Sequence, residues 1–344
     1  MQTRLILVLA TLVSVFAPRA SARAEEMERE RWRRSALADG LGAERLHVLR
    51  RAAPLGRARV AERLSARLAA VVAGSDRATR TEQSGRTVLR GALDAWLLVV
   101  HGDGGRASFV DNAAHRKARE RGRSLGQRVA THVLEARARE IFAKQIAGAI
   151  HLKANERLVA LSTKRLVEDV SDGSTLLSER VVANRVLFGR EIDGVPLIGN
   201  SSAVSVVLDN DGNMLEYEYD WPELEDAGSM ESVVDFRCGV ERLAALDESR
   251  ARHEDAAVAH FECGYYASEG AAELQPACAV VYRGTSEAGQ AAYEEIFPMT
   301  QTPRPVPSWK ESLAVGTHAN SCRAVYSTSA SLIRQLLELH EAAR

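Results

Sequence analysis

The alternation Glu216-Tyr217-Glu218-Tyr219, closed by Asp220, puts carboxylates two residues apart. On an extended strand that spacing brings them to one face. Such carboxylates can share acid–base work or hold a cation, but on a half-wet strand they are also the ordinary solvent face, which is the expectation here. Asp209, Asp211, Gly212 and Glu218 match positions three, five, six and twelve of a calcium-binding helix-loop-helix motif. Position one falls on Val207, which offers no side-chain oxygen, and the flanks are strand-like. The run HGDGG at 101–105 has the glycines of a phosphate cradle. It lacks the lysine and the Ser or Thr of a P-loop and has no clear βαβ surroundings, so it reads as a turn.

Nucleophilic chemistry finds no better support. No Gly-x-Ser-x-Gly is present, and Ser268 and His260 are neighbours only along the chain. Glu168-Asp169 is another acidic pair, whereas His132 and His151 lack acidic or cysteine neighbours at ligand spacing, and His318, near Cys322, is expected to have a structural role. Trp221-Pro222 and Trp309 are candidates for a binding surface. No catalytic, metal-binding or cofactor-binding set is expected.

All four cysteines, Cys238, Cys263, Cys278 and Cys322, lie in the C-terminal half. None of their spacings suits a zinc site. An even count in an exported chain points to two disulfides, for which three pairings exist. Cys263 and Cys278 flank a hairpin pattern, ECGYYASEGAAELQPACAVVY, and are expected to pair, leaving Cys238 for Cys322.

The elements that position these residues fall into two regimes. Residues 25–112 are rich in Arg, Ala and Leu and read as short amphipathic helices, with Leu64, Leu68, Val71 and Val72 at helical spacing and a loop at SDRATRTEQSGRT. A long helix is expected over 114–150, with Val129, Val133, Leu134, Ile141, Phe142, Ile146 and Ile150 on one stripe. From residue 160 the period becomes two, and Asp193-Gly194 and Asp211-Gly212 mark tight turns, with Pro196 near a strand start. The fold class expected is α+β: N-terminal helices packed on an antiparallel sheet over 160–300. The organisation expected is a leader at 1–24, a helical region at 25–112 and an α+β module at 113–344.

The run VLFGREIDGVPLIGNSSAVSVVLDNDGNMLEYEYDWP resembles the PepSY-like and fungalysin/thermolysin-propeptide-like domains of exported bacterial proteins. Arg190, Asp193-Gly194-Val195-Pro196, Gly199 and Asn210-Asp211-Gly212 carry the match, and CGYYASEGAAELQPACAVVYRG resembles a later hairpin of such modules. Together these cover about residues 155–300. The resemblance implies a helix packed on antiparallel hairpins and a non-catalytic, inhibitory or chaperoning role towards a secreted peptidase. The chain carries no HExxH and no peptidase domain, so that role would be exercised in trans. A secreted hydrolase of unrecognised type, or a surface protein binding polyanions through residues 25–130, are the alternatives.

The N-terminus bounds the compartment. Arg4, the apolar run Leu5–Phe16 and Ala22-Arg23-Ala24 have the form of a secretory leader whose apolar core is too short to span a bilayer. A secreted or periplasmic protein without stable membrane insertion is expected. Residues 25–160 hold 27 Lys+Arg against 16 Asp+Glu, and residues 161–344 hold 15 against 30, excesses of +11 and −15. Mutual attraction of the two stretches, without nucleic-acid binding, is the expected use of that asymmetry. Intact-mass analysis of the exported protein is expected to start at or near Glu25; a chain retaining Met1 in the membrane fraction would contradict the leader.

Overall fold

The computed structural model describes residues 45–300, apart from 54, 70–71, 73–77, 103, 126, 128, 151, 172–175, 199–201, 234–256, 267–271 and 287–288. The leader, Cys238, Cys322, His151, Gly199, Ser268, Trp309 and His318 therefore lie outside the described residues. The chain divides into two compact units: residues 48–229 with 269–274, and residues 1–47 with 230–268 and 275–344.

Strand dominates, with fifteen strands against three short α-helices among the described residues. This overturns the expected α+β class with its N-terminal helices. Among the described residues after β1 (Arg45–Arg51), only α1 (Arg57–Leu68) is helical before residue 112, apart from one short 3-10 turn at 92–94. It buries Val60, Ala61, Leu64 and Leu68 along one stripe. The stretch expected to be a loop is instead a hairpin, β2 (Thr79–Gln83) and β3 (Arg86–Arg90), turned by Ser84 (φ 42°) and Gly85 (φ 77°). β2 is an edge strand and almost wholly polar, so no alternation betrays it. Next come β4 (Trp96–His101) and β5 (Arg106–Asp111), which bury Trp96, Leu98, Val100, Ala107 and Phe109.

The expected long helix is also absent. Asp111 caps α2 (Asn112–Glu120) by accepting from the Ala114 N–H at 2.8 Å, and Gly122 follows within two residues of its end. The two-residue β6 (Arg123–Ser124) and α3 (Thr131–Ile141) then occupy its place, and α3 runs into a π-helical turn at Phe142–Ile146. Leu134, Ile141, Phe142, Ile146 and Ile150 of the expected stripe are buried, but Val133 is 49% exposed.

The sheet of the first unit is completed by β7 (Glu156–Ser171), β8 (Leu176–Ile192), β9 (Val195–Ile198), β10 (Ala203–Leu208) and β11 (Met214–Asp220); β12 (Leu224–Ser232) follows outside it. Its order is β2-β3-β4-β5-β11-β10-β8, with β7 on the outer side of β8 and each of these pairings antiparallel. One face, with Tyr217, Tyr219, Phe109, Phe188, Val204 and Val206, packs against α1, α3 and the π-turn. On the other, Ala118 of α2 covers Ala183, Val207 and Leu215. Fully burying large apolar side chains contributes about 1.5–3 kcal/mol each, so the first face carries most of the stability.

The turns are simple in physical terms. Asp193 (φ 52°) and Gly194 (φ 81°) join β8 to β9 with both residues in the left-handed region, the geometry of a two-residue hairpin turn. Gly212 (φ 83°) turns β10 into β11, and the Asp209 carboxylate accepts from the Asp211 and Asn213 N–H groups, both at 2.8 Å. Three register shifts interrupt the β7–β8 ladder: Leu161 is extra on β7, and Val182 and Leu177 are extra on β8.

In the second unit, β13 (Ala257–Tyr266), β14 (Glu273–Ser286) and β15 (Gly289–Pro298) form an antiparallel array. Cys263 and Cys278 stand directly opposite each other on β13 and β14 and form the expected disulfide, with Cα atoms 4.0 Å apart. The first unit also contains no helix long and apolar enough to cross a membrane, and neither does any other described segment. With a sequence separation of 15, the disulfide should contribute about 3 kcal/mol by the chain-entropy estimate. A Cys263→Ala/Cys278→Ala chain is accordingly expected to lower the denaturation midpoint of its unit; an unchanged midpoint would contradict this.

Candidate functional site

Arg190 is the side chain around which the first unit's sequence motif is built. It sits on β8, three residues before the Asp193-Gly194 turn, and is 1% exposed. Its Nη2 donates to Glu156 Oε1 at 2.6 Å, and Glu156, at the start of β7, is buried as deeply. Its Nη1 donates to the Pro222 carbonyl at 2.7 Å, and the guanidinium lies 4.5 Å from the centroid of the Trp221 ring. Burial pulls the guanidinium below its ordinary range, and the Glu156 carboxylate opposes that pull. Asn155 fastens the adjacent turn, its Nδ2 donating to Asp193 Oδ2 at 2.9 Å and its carbonyl accepting from the Asp193 N–H at 2.9 Å. Arg190, Asp193, Gly194 and Pro196 thus lie at one end of the β8–β9 hairpin, where Arg190 is buried in its clamp while Asp193 is exposed and Gly194 and Pro196 are half-buried. Glu156 escaped the sequence reading because its partner is 34 residues away and nothing local marks it.

Asp211 and Gly212 stand at a different turn, where Asp211 accepts from Arg123 at 2.6 Å. The calcium reading has no geometric basis. Asp209 spends its oxygens on Asp211 and Asn213, and Glu218 accepts from Arg106 at 2.7 Å. No group of three His, Cys, Asp or Glu converges among the described residues.

Glu216, Glu218 and Asp220 share the face of β11 away from the aromatic core, as expected from their alternation. That face is only half wet. His115 of α2, missed in the sequence reading, approaches Glu216 at 3.7 Å, and Arg185 of β8 at 3.8 Å. His115 first, then Arg185, hold the Glu216 carboxyl below the usual range. On β4, burial and the neighbouring Arg86 and Arg106 hold the His101 imidazole low. Each carboxylate therefore already has a cationic partner. On the core side, burial pushes the Tyr217 and Tyr219 phenols up, so neither ionises at ordinary pH. The basic N-terminal and acidic C-terminal stretches interleave here, through Arg50–Glu225, Arg106–Glu218, Arg119–Glu168 and Arg123–Asp211.

Two concavities lie among the described residues of the first unit. A cavity of about 30 Å³ beside Trp221, Pro222, Glu223 and Gly104 holds roughly one water. A wider depression beside Arg63, Arg67, Gly148 and Leu152 is open to solvent.

What remains is the margin of the sheet. β7 bonds to β8 along its length and has no strand on its outer side among the described residues. Its 16 residues extend about 50 Å at 3.3 Å per residue. Arg157, Lys164, Arg165 and Val167 are exposed along it. Arg139 of α3 donates to the Leu158 carbonyl at 2.9 Å.

No protein-family model matches the chain, and no curated protein matches it. Among solved structures it is similar to an uncharacterized protein from Eubacterium rectale ATCC 33656, 9% identical over 74% of this chain and 84% of that one, with a TM-score of 0.49. At that identity and score the likeness assigns neither fold nor function.

Removing one member of the buried pair leaves the other as an uncompensated charge. Arg190→Met should therefore cost about 3–5 kcal/mol, while Arg190→Met/Glu156→Leu should recover most of it. Urea denaturation of the two chains checks this; equal losses would mean that the pair is not the source of the effect.

Proposed function

We propose that this is an exported, non-catalytic binding protein that takes an extended polypeptide at the outer edge of β7, acting in trans on a secreted peptidase in the manner of a propeptide. The observation that carries the reading is the 16-residue strand paired on one side only among the described residues. Main-chain N–H and C=O groups on such an edge are a template for strand addition. The propeptide-like character of residues 155–300 supports the choice of partner. The pairing of Glu216 with His115 and Arg185, and of Glu218 with Arg106, favours binding over hydrolysis, because each carboxylate is already neutralised.

A thermolysin-type metallopeptidase is the probe. At a stoichiometric ratio the protein is expected to slow casein hydrolysis at least tenfold and to protect the β7 amides from hydrogen exchange in the complex. Full peptidase activity would remove the inhibitory role, and binding without protection of β7 would remove the site.

A further inference from the structure

We infer that the extended segment received by β7 is acidic, with two consecutive carboxylate residues placed opposite Lys164 and Arg165; this rests on the strand-addition reading above. The ladder itself shows the need. Lys164 stands directly opposite Arg185 of β8, and Arg165 opposite Asn184. Directly opposed like charges on neighbouring strands destabilise the pair. Elsewhere the same ladder matches its charges: Arg157 opposes Glu191 and is bonded to it, and Glu168 opposes Arg180 and accepts from it at 2.9 Å.

Arg185 finds partial relief at Glu216, 3.8 Å away on the far side of β10. Lys164 has no ion-pair partner among the described residues. Arg165 reaches only the Leu125 carbonyl, at 3.2 Å. Arg139, beside the same edge, has the Leu158 carbonyl and the Phe188 ring, with its guanidinium 5.1 Å from the ring centroid. Three cations along one strand margin thus lack a carboxylate among the described residues.

Because side chains alternate across a strand, Lys164 and Arg165 point to opposite faces of the sheet. A new strand beside β7 would meet them with two consecutive residues, one on each face. A Glu or Asp at both positions would complete a charge ladder on one face and supply a first counter-ion on the other. A second copy of the chain meets this only in part. In a two-fold antiparallel pairing directly opposed residues share a face. In the register that sets Lys164 opposite Glu168, which already serves Arg180, Arg165 would oppose Val167, so no two-fold register gives both cations consecutive carboxylates.

The experiment uses fluorescein-labelled extended peptides of alternating Thr and Val carrying a central Glu–Glu or Lys–Lys pair. Each is also made with alternate backbone amides N-methylated, and oligo-dT serves as a non-peptide anion. The Glu–Glu peptide is expected to bind at least tenfold tighter than the Lys–Lys peptide and to lose at least tenfold on N-methylation. Lys164→Glu/Arg165→Glu, two exposed changes, should invert the preference without altering the circular dichroism spectrum. Equal binding of both peptides, each weakened by N-methylation, would overturn the acidic partner and leave strand addition standing. Competition by oligo-dT with indifference to N-methylation would overturn both in favour of a simple anion-binding surface, and no peptide binding at all would also overturn both. A concentration-dependent dimer in sedimentation that excludes the Glu–Glu peptide would assign the edge to a second copy instead.

Discussion

A single buried ion pair ties the first unit together at the root of its longest hairpin. Glu156 begins β7, Arg190 lies near the end of β8, and the Pro222 carbonyl and Trp221 ring that complete the set follow β11. Three stretches of chain, distant in sequence, must therefore arrive together before the guanidinium has a counter-ion and an acceptor. Two charges this deep tolerate little displacement, since several kcal/mol of desolvation is offset only at good geometry. The adjoining Asp193-Gly194 turn is consequently placed by the clamp as much as by its own backbone preferences.

Charge works differently at the surface. The pairs between the basic N-terminal stretch and the acidic C-terminal one, such as Arg123–Asp211 and Arg106–Glu218, are exposed and individually contribute under about 1 kcal/mol. They set orientation, while the aromatic layer formed by Trp96, Phe109 and Tyr217 supplies the cohesion. Phe109 and Tyr217 stack with ring centroids 5.4 Å apart on adjacent strands, a contact that sequence alternation foreshadows without identifying the partners.

Legibility in the sequence followed the range of the forces involved. Asp193-Gly194 and Asp211-Gly212 were visible because positive φ is a local demand that few residues meet. The Cys263–Cys278 pairing was visible because its hairpin is local too. The helical expectation over 114–150 failed since the stripe it relied on begins only at Val129, whereas the segment before it contains Gly122, where α2 has already ended. β2 was invisible because an edge strand with polar side chains has no period to read. The clamp partner of Arg190, and the opposition of Lys164 to Arg185, depend on register across dozens of residues. Period alone cannot supply a register that three extra residues, Leu161, Leu177 and Val182, have altered.

The bulge at Leu161 has a further consequence for cooperativity. Before Leu161, the even-numbered residues Leu158 and Ala160 pack into the aromatic core beneath α3. After it, Leu166 belongs to the smaller cluster beneath α2, on the opposite side of the sheet. Gly189 leaves the space that the inserted Leu161 side chain fills. One continuous strand is thus stitched through both hydrophobic layers, in the way a thread passes from one side of a cloth to the other. Neither layer can melt while the other stays intact, because the strand that would have to leave one is anchored in both.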